Sequence, residues 1–185
     1  MAEYLIQGET LTRMADIIRN KFQSRDILEG LISDRSLVSE IVLPDGITSI
    51  GYRAFYDCAN LALASLPDGI TSIGYESFCG CTNLALTSLP DGITSIGDRA
   101  FGGCKNLALT SLPEGVTSID NQAFLNCHSL KSLTFKGTPT TISANAFGGC
   151  YYLTTINVPW SEGEVANAPW GATKATINYN YVEED

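Results

Sequence analysis

Apolar residues return along this chain on a fixed beat. Val38, Leu61, Leu84, Leu107, Leu130 and Leu153 stand 23 residues apart. Phe55, Phe78, Phe101, Phe124 and Phe147 keep the same interval, as do Ile50, Ile73, Ile96, Ile119 and Ile142. A fixed period in the twenties is the mark of a solenoid, in which each unit buries its apolar side only against its neighbours. Adjacent coils then lie about 4.8 Å apart in the ladder direction, so each phenyl ring is expected to touch the next.

The unit Leu84–Asn106, LALTSLPDGITSIGDRAFGGCKN, shows the local elements. An extended piece, Thr87-Ser88-Leu89, runs into Pro90-Asp91-Gly92, where proline cannot donate to a ladder and the triplet favours a tight turn. A second extended piece, Ile93-Thr94-Ser95-Ile96, leaves through Gly97, and Arg99-Ala100-Phe101 reads as a short helix or turn on the outer side. Five full units cover residues 38–152, and a sixth begins at Leu153 and ends near Pro159.

The flanks differ. In residues 1–37, Leu11, Met14, Ile18 and Phe22 form the stripe of an amphipathic helix with Thr10 as its N-cap, and a shorter apolar side follows at Ile27, Leu28, Leu31 and Ile32. The structural reading is a helical cap over the first coil; the functional one is a helix that docks onto a larger assembly. After Pro159, Trp160 and Trp170 flank a polar loop, and Ala175–Tyr181 alternates as a half-buried strand. The domain reading is therefore a helical N-terminal cap at 1–37, a solenoid at 38–159, and a C-terminal strand cap with a frayed tail at 160–185.

The repeated pattern, with Gly97, Ala100, Phe101 and Cys104 at its marked positions, resembles the BspA-like (Treponema pallidum-type) leucine-rich repeat over about residues 38–159. The resemblance implies an α/β solenoid of five to six units and no catalytic residues. It also implies a surface protein of the kind linked to adhesion and to binding host matrix proteins. The lead-in Gly8–Leu11 and the tail around Trp160 and Ala168–Thr173 resemble the termini of repeat proteins from gut Firmicutes and their prophages.

One departure from that family pattern marks a candidate surface. Ile41, Leu133 and Ile156 hold the inward strand position, three residues after the unit start. In the middle units that place is Ala64, Thr87 and Thr110, and leucine comes one residue earlier, at Leu63, Leu86 and Leu109. Strict alternation turns those leucines outward, beside Ser65, Ser88 and Ser111, as a partner or self-association surface. A local bulge would instead tuck them inside.

Composition narrows the function. A net charge of −9 argues against nucleic acid and anionic lipid. No stretch reaches the roughly 18 apolar residues of a membrane span. The N-terminus lacks the basic start and apolar run of a signal peptide, which reads as cytoplasmic at synthesis, with the cell surface or a phage particle reached by another route. Five of six cysteines, Cys58, Cys81, Cys104, Cys127 and Cys150, share one repeat position and read as buried thiols; Cys79 breaks the register. His128 is the only histidine, which removes most metal and triad chemistry. Asp45, Asp68, Asp91 and Glu114 line up at the Pro-x-Gly turn, where turn chemistry accounts for them and a sparse calcium edge is the alternative. The sequence thus points to a non-enzyme without cofactor or metal, binding a protein or glycan partner through a repeat-built surface. The alternative is a structural component of a prophage tail-type particle or another assembly.

Overall fold

The computed structural model describes Ile41, Leu43 and residues 46–183. These form a parallel β-solenoid. One sheet stacks β1 (Ser49–Ile50), β2 (Ser72–Ile73), β3 (Ser95–Ile96), β5 (Ser118–Ile119) and β7 (Thr141–Ile142). The other stacks β4 (Ser111–Leu112), β6 (Ser132–Phe135), β8 (Thr155–Asn157) and β9 (Thr176–Asn178). Register follows the repeat: Ile50 pairs with Ile73, Ile73 with Ile96, Ile96 with Ile119 and Ile119 with Ile142.

The turns form as the sequence requires. After Pro67, Pro90 and Pro113 an i to i+3 bond closes the turn, from the Ile70 N–H to Pro67 O at 3.2 Å, from Ile93 to Pro90 at 3.2 Å and from Val116 to Pro113 at 3.3 Å. Gly97 permits close approach between coils, since a Cβ there would meet the carbonyl carbon of Gly74 at 2.9 Å. The core is a column of side chains. Phe55, Phe78, Phe101, Phe124 and Phe147 are fully buried and stack with centroids 5.1–5.5 Å apart.

The α/β expectation needs correcting: among the described residues there is no helix. The outer segment makes single turns, such as Ala100 N–H to Gly97 O at 3.1 Å and Cys104 N–H to Phe101 O at 3.1 Å. Arg99 interrupts them in the left-handed region at φ 50°. The alternate N–H groups bond to the next coil instead, Phe78 to Ala100 O and Phe101 to Ala123 O at 2.8 Å each. Donors spent between coils cannot build an i to i−4 ladder. The helical cap expected at 1–37 lies outside the described residues.

At the other end, β9 extends the second sheet by one coil, pairing Thr155 with Thr176 and Ile156 with Ile177. Trp160 and Trp170 are buried over Phe135, with Trp160 5.2 Å from its ring in an edge contact. The Trp170 indole N–H donates to Ala166 O at 2.7 Å. Those tryptophans close the core, and that burial takes their faces out of reach of any sugar.

Candidate functional site

Of the two readings of the middle leucines, the structure has the bulge, and the outward apolar stripe is absent. Leu63, Leu86 and Leu109 are only 5%, 0% and 2% exposed. Each middle unit points two successive residues outward, Ala64 and Ser65 or Thr87 and Ser88, and then returns inward at Leu66 or Leu89. In the unit starting at Leu130 the paired outward residues, Lys131 and Ser132, come first and Leu133 points in. The segment has the same length in both cases; only the place of the bulge moves, so leucine keeps its burial. Of the six candidate residues, Ser65 and Ser88 remain exposed and Ser111 is half-buried.

The thiol column is likewise interior. Cys81, Cys104, Cys127 and Cys150 each lie 2.9–3.1 Å from the carbonyl oxygen of a phenylalanine one coil back, to which the S–H donates. Burial holds the thiols of Cys81, Cys104 and Cys127 well above their ordinary range and pushes Cys150 up to about 11. Cys79 is only half-buried, with its thiol raised by desolvation first and by the nearby Glu76 and Asp57 second. Among the described residues, no group of three or more His, Cys, Asp or Glu is placed to hold a metal ion. None of their elements is a helix long and apolar enough to cross a membrane.

What the solenoid does assemble on its outer turns is a tyrosine and arginine cluster. Two neighbouring columns carry it, each supplying one side chain per coil. The first runs Tyr52, Tyr75, Asp98, Asn121; the second runs Arg53, Glu76, Arg99, Gln122. Tyr52 and Tyr75 stack at 5.3 Å with 9° between planes, yet remain 52% and 39% exposed. The Arg53 guanidinium lies 5.2, 5.0 and 5.9 Å from the Tyr52, Tyr56 and Tyr75 rings.

Glu76 organises this cluster from beneath. Its carboxylate is buried, accepts from Arg53 Nε at 2.6 Å and lies 3.6 Å from Arg99. Arg99 Nε in turn donates to Gln122 Oε1 at 2.6 Å. The hydrogen bond to Glu76 raises the Arg53 pKa, and the same carboxylate also holds the Tyr75 hydroxyl above its ordinary value. Arg53, Glu76, Arg99 and Gln122 all have left-handed backbone, φ 49–55°, which aims the four side chains along one line. The sequence reading passed over these residues. Their signal was present in the 23-residue spacing, but the eye follows repeated identity, and here the residue type changes at each step.

A second, smaller aromatic column places His128, half-buried, against Tyr151 at 6.1 Å, with Lys174 5.8 Å from the same ring.

A parallel β-solenoid with this unit decides the relationship. The model of the BspA type leucine rich repeat region matches residues 26–154, in six copies. The chain belongs to that family. Members of this repeat family are in general interaction modules without catalysis. Similar solved structures include a leucine-rich repeat protein from Bacteroides ovatus, 36% identical with a TM-score of 0.58, covering 65% of this chain and 31% of that one. The Treponema pallidum leucine-rich repeat protein is 30% identical with a TM-score of 0.58, covering 65% and 58%. A leucine-rich cell surface protein from Faecalibacterium prausnitzii is 32% identical with a TM-score of 0.62, covering 68% and 33%. The chain therefore spans between about a third and three fifths of the length of these relatives. No curated protein is recognisably similar in sequence.

Proposed function

We propose that this protein is a non-catalytic binding module, taking a protein or glycan partner on its outer turns in a surface or adhesion role. The observation that carries this reading is the Tyr52–Arg53–Tyr56–Tyr75 cluster. Tyrosine and arginine supply most hot spots, and side chains already fixed lose little entropy when a partner arrives. Here the rings are stacked on each other and the guanidinium is fixed by a buried carboxylate. A surface location is supported by the similar Faecalibacterium prausnitzii protein, a leucine-rich cell surface protein.

The test is to immobilise the protein and present purified host matrix proteins and a printed glycan panel. Saturable binding to either class, weakened by the double change Tyr52→Ala with Arg53→Ala, supports the reading. Absence of saturable binding to both classes sinks it. If the chain instead forms ordered multimers by itself in solution, the assembly-component reading takes its place.

A further inference from the structure

The tyrosine column ends in a step. Tyr75 has Tyr52 on one ring face, while the next side chain in its column is the much shorter Asp98. No other ring stacks on Tyr75 among the described residues. At the foot of the step, Asn121 Nδ2 lies 3.5 Å from Asp98 Oδ2, and both side chains reach solvent. The walls are held in place, since the Tyr75 ring is stacked on Tyr52 and Arg99 is tied to Glu76 and Gln122. An aromatic wall over a carboxylate and an amide, all oriented beforehand, is a small amphipathic ledge.

We propose that this ledge is a subsite for a neutral saccharide. A pyranose ring carries a face of polarised C–H bonds, which suits the electron-rich face of a tyrosine, and a rim of hydroxyls, which both donate and accept. Asp98 accepts from such hydroxyls, and Asn121 does both. Charge selects the class of sugar. Glu76 pairs with Arg53 and Arg99, and Asp98 Oδ1 lies 3.9 Å from Arg99 Nε, so the two cations are matched by two carboxylates. No unmatched positive charge is left to recruit an acidic sugar, and the floor itself is the half-exposed Asp98 carboxylate. A uronate or sulfate would meet that carboxylate with like charge, whereas an uncharged sugar would not. The inference rests on the reading of this chain as a binding module and deepens it.

The experiment titrates the full chain with cellohexaose, laminarihexaose and mannohexaose, and with hexagalacturonate as the charged counterpart, read by calorimetry and saturation-transfer NMR. At least one neutral hexasaccharide is expected to bind saturably, and hexagalacturonate is not. Tyr75→Ala should weaken that binding by roughly twofold to tenfold, an aromatic contact being worth about 0.5–1.5 kcal/mol. Tyr75→Phe keeps the ring and should retain it. Asp98→Ala, on the surface and outside the core column, should weaken it without lowering the melting temperature. Tyr151→Ala, in the other aromatic column, should leave it unchanged. No response to any neutral sugar, preference for the uronate, or equal binding by the Tyr75→Ala and Asp98→Ala variants overturns the ledge. A protein that ignores all four sugars but captures a matrix protein overturns the ledge alone and leaves the binding-module reading standing.

Discussion

Phe101 shows what a single residue does in this architecture. Its ring lies 5.5 Å from both Phe78 and Phe124, so truncation removes two stacking contacts and leaves a cavity that stacked coils cannot collapse. Phe101→Ala is expected to cost about 3–5 kcal/mol, measured by urea unfolding. An unchanged midpoint would contradict the core assignment. The cysteines give a second outcome at this scale. Their folded pKa values are raised, so the thiol form stabilises the fold fully below the unfolded value near about 8.5. As pH rises past that value the unfolded chain releases protons that the folded chain keeps. Stability should then fall by roughly 1.4 kcal/mol per pH unit for each such thiol, until Cys150 also ionises near about 11. Replacing Cys104 with alanine should make that decline shallower, whatever it does to the stability at neutral pH. Labelling with a thiol reagent should find Cys79 first, because it alone of these is half-exposed. The positions of the phenylalanines and the repeated cysteines were legible from spacing alone. The roles of Tyr75 and Glu76 were not, because a partner one coil away is 23 residues distant in sequence and has a different identity.

At the scale of the element, the early strand is where the sequence left two readings open and the structure chose the bulge. The burial of Leu86 and the exposure of Thr87 mean that these neighbours should respond oppositely to truncation. Leu86→Ala is expected to cost about 2–5 kcal/mol and Thr87→Ala to change stability by less than about 1 kcal/mol. Equal effects would indicate that the bulge does not sit where the structure puts it. The apolar pattern supplied both leucines and their count per unit. It could not say which gap of the segment takes the second outward residue. Burial of the leucine makes that choice in each coil, at Leu109 in one unit and one step later, at Leu133, in the next. Of the short helix or turn read for the outer side, the structure has the turn, for a related reason. Local spacing is compatible with a helical turn, but the backbone donors are taken by the neighbouring coil.

At the scale of the whole solenoid, the described residues are nearly one-dimensional, since the strands of each sheet bond to the coil before and the coil after. Deleting one complete unit, residues 84–106, should therefore leave a folded and shorter solenoid of lower melting temperature, followed by circular dichroism. Global unfolding on that deletion would mean long-range contacts matter more than the stacking implies. Removing everything after Pro159 is different. It strips Trp170 and β9 from the last coil, exposing the ring of Phe147 and the edge of β8. The expected result is association in solution, detected by light scattering after size-exclusion chromatography.

By itself the sequence determined the period, the stacked phenylalanine, isoleucine and cysteine columns, the proline turns and the closing strand. Those follow from residue type repeated at constant phase, which is a property of the chain and needs no coordinates. Only the tertiary structure decided which way Leu63, Leu86 and Leu109 face, that the outer segments are turns, and that Tyr52, Arg53, Tyr75 and Glu76 meet. These depend on what the adjacent coil offers at about 5 Å, in hydrogen-bond acceptors, ring faces and charge. A periodic pattern states that coils stack; the atoms of the neighbouring coil settle what each position does once they have.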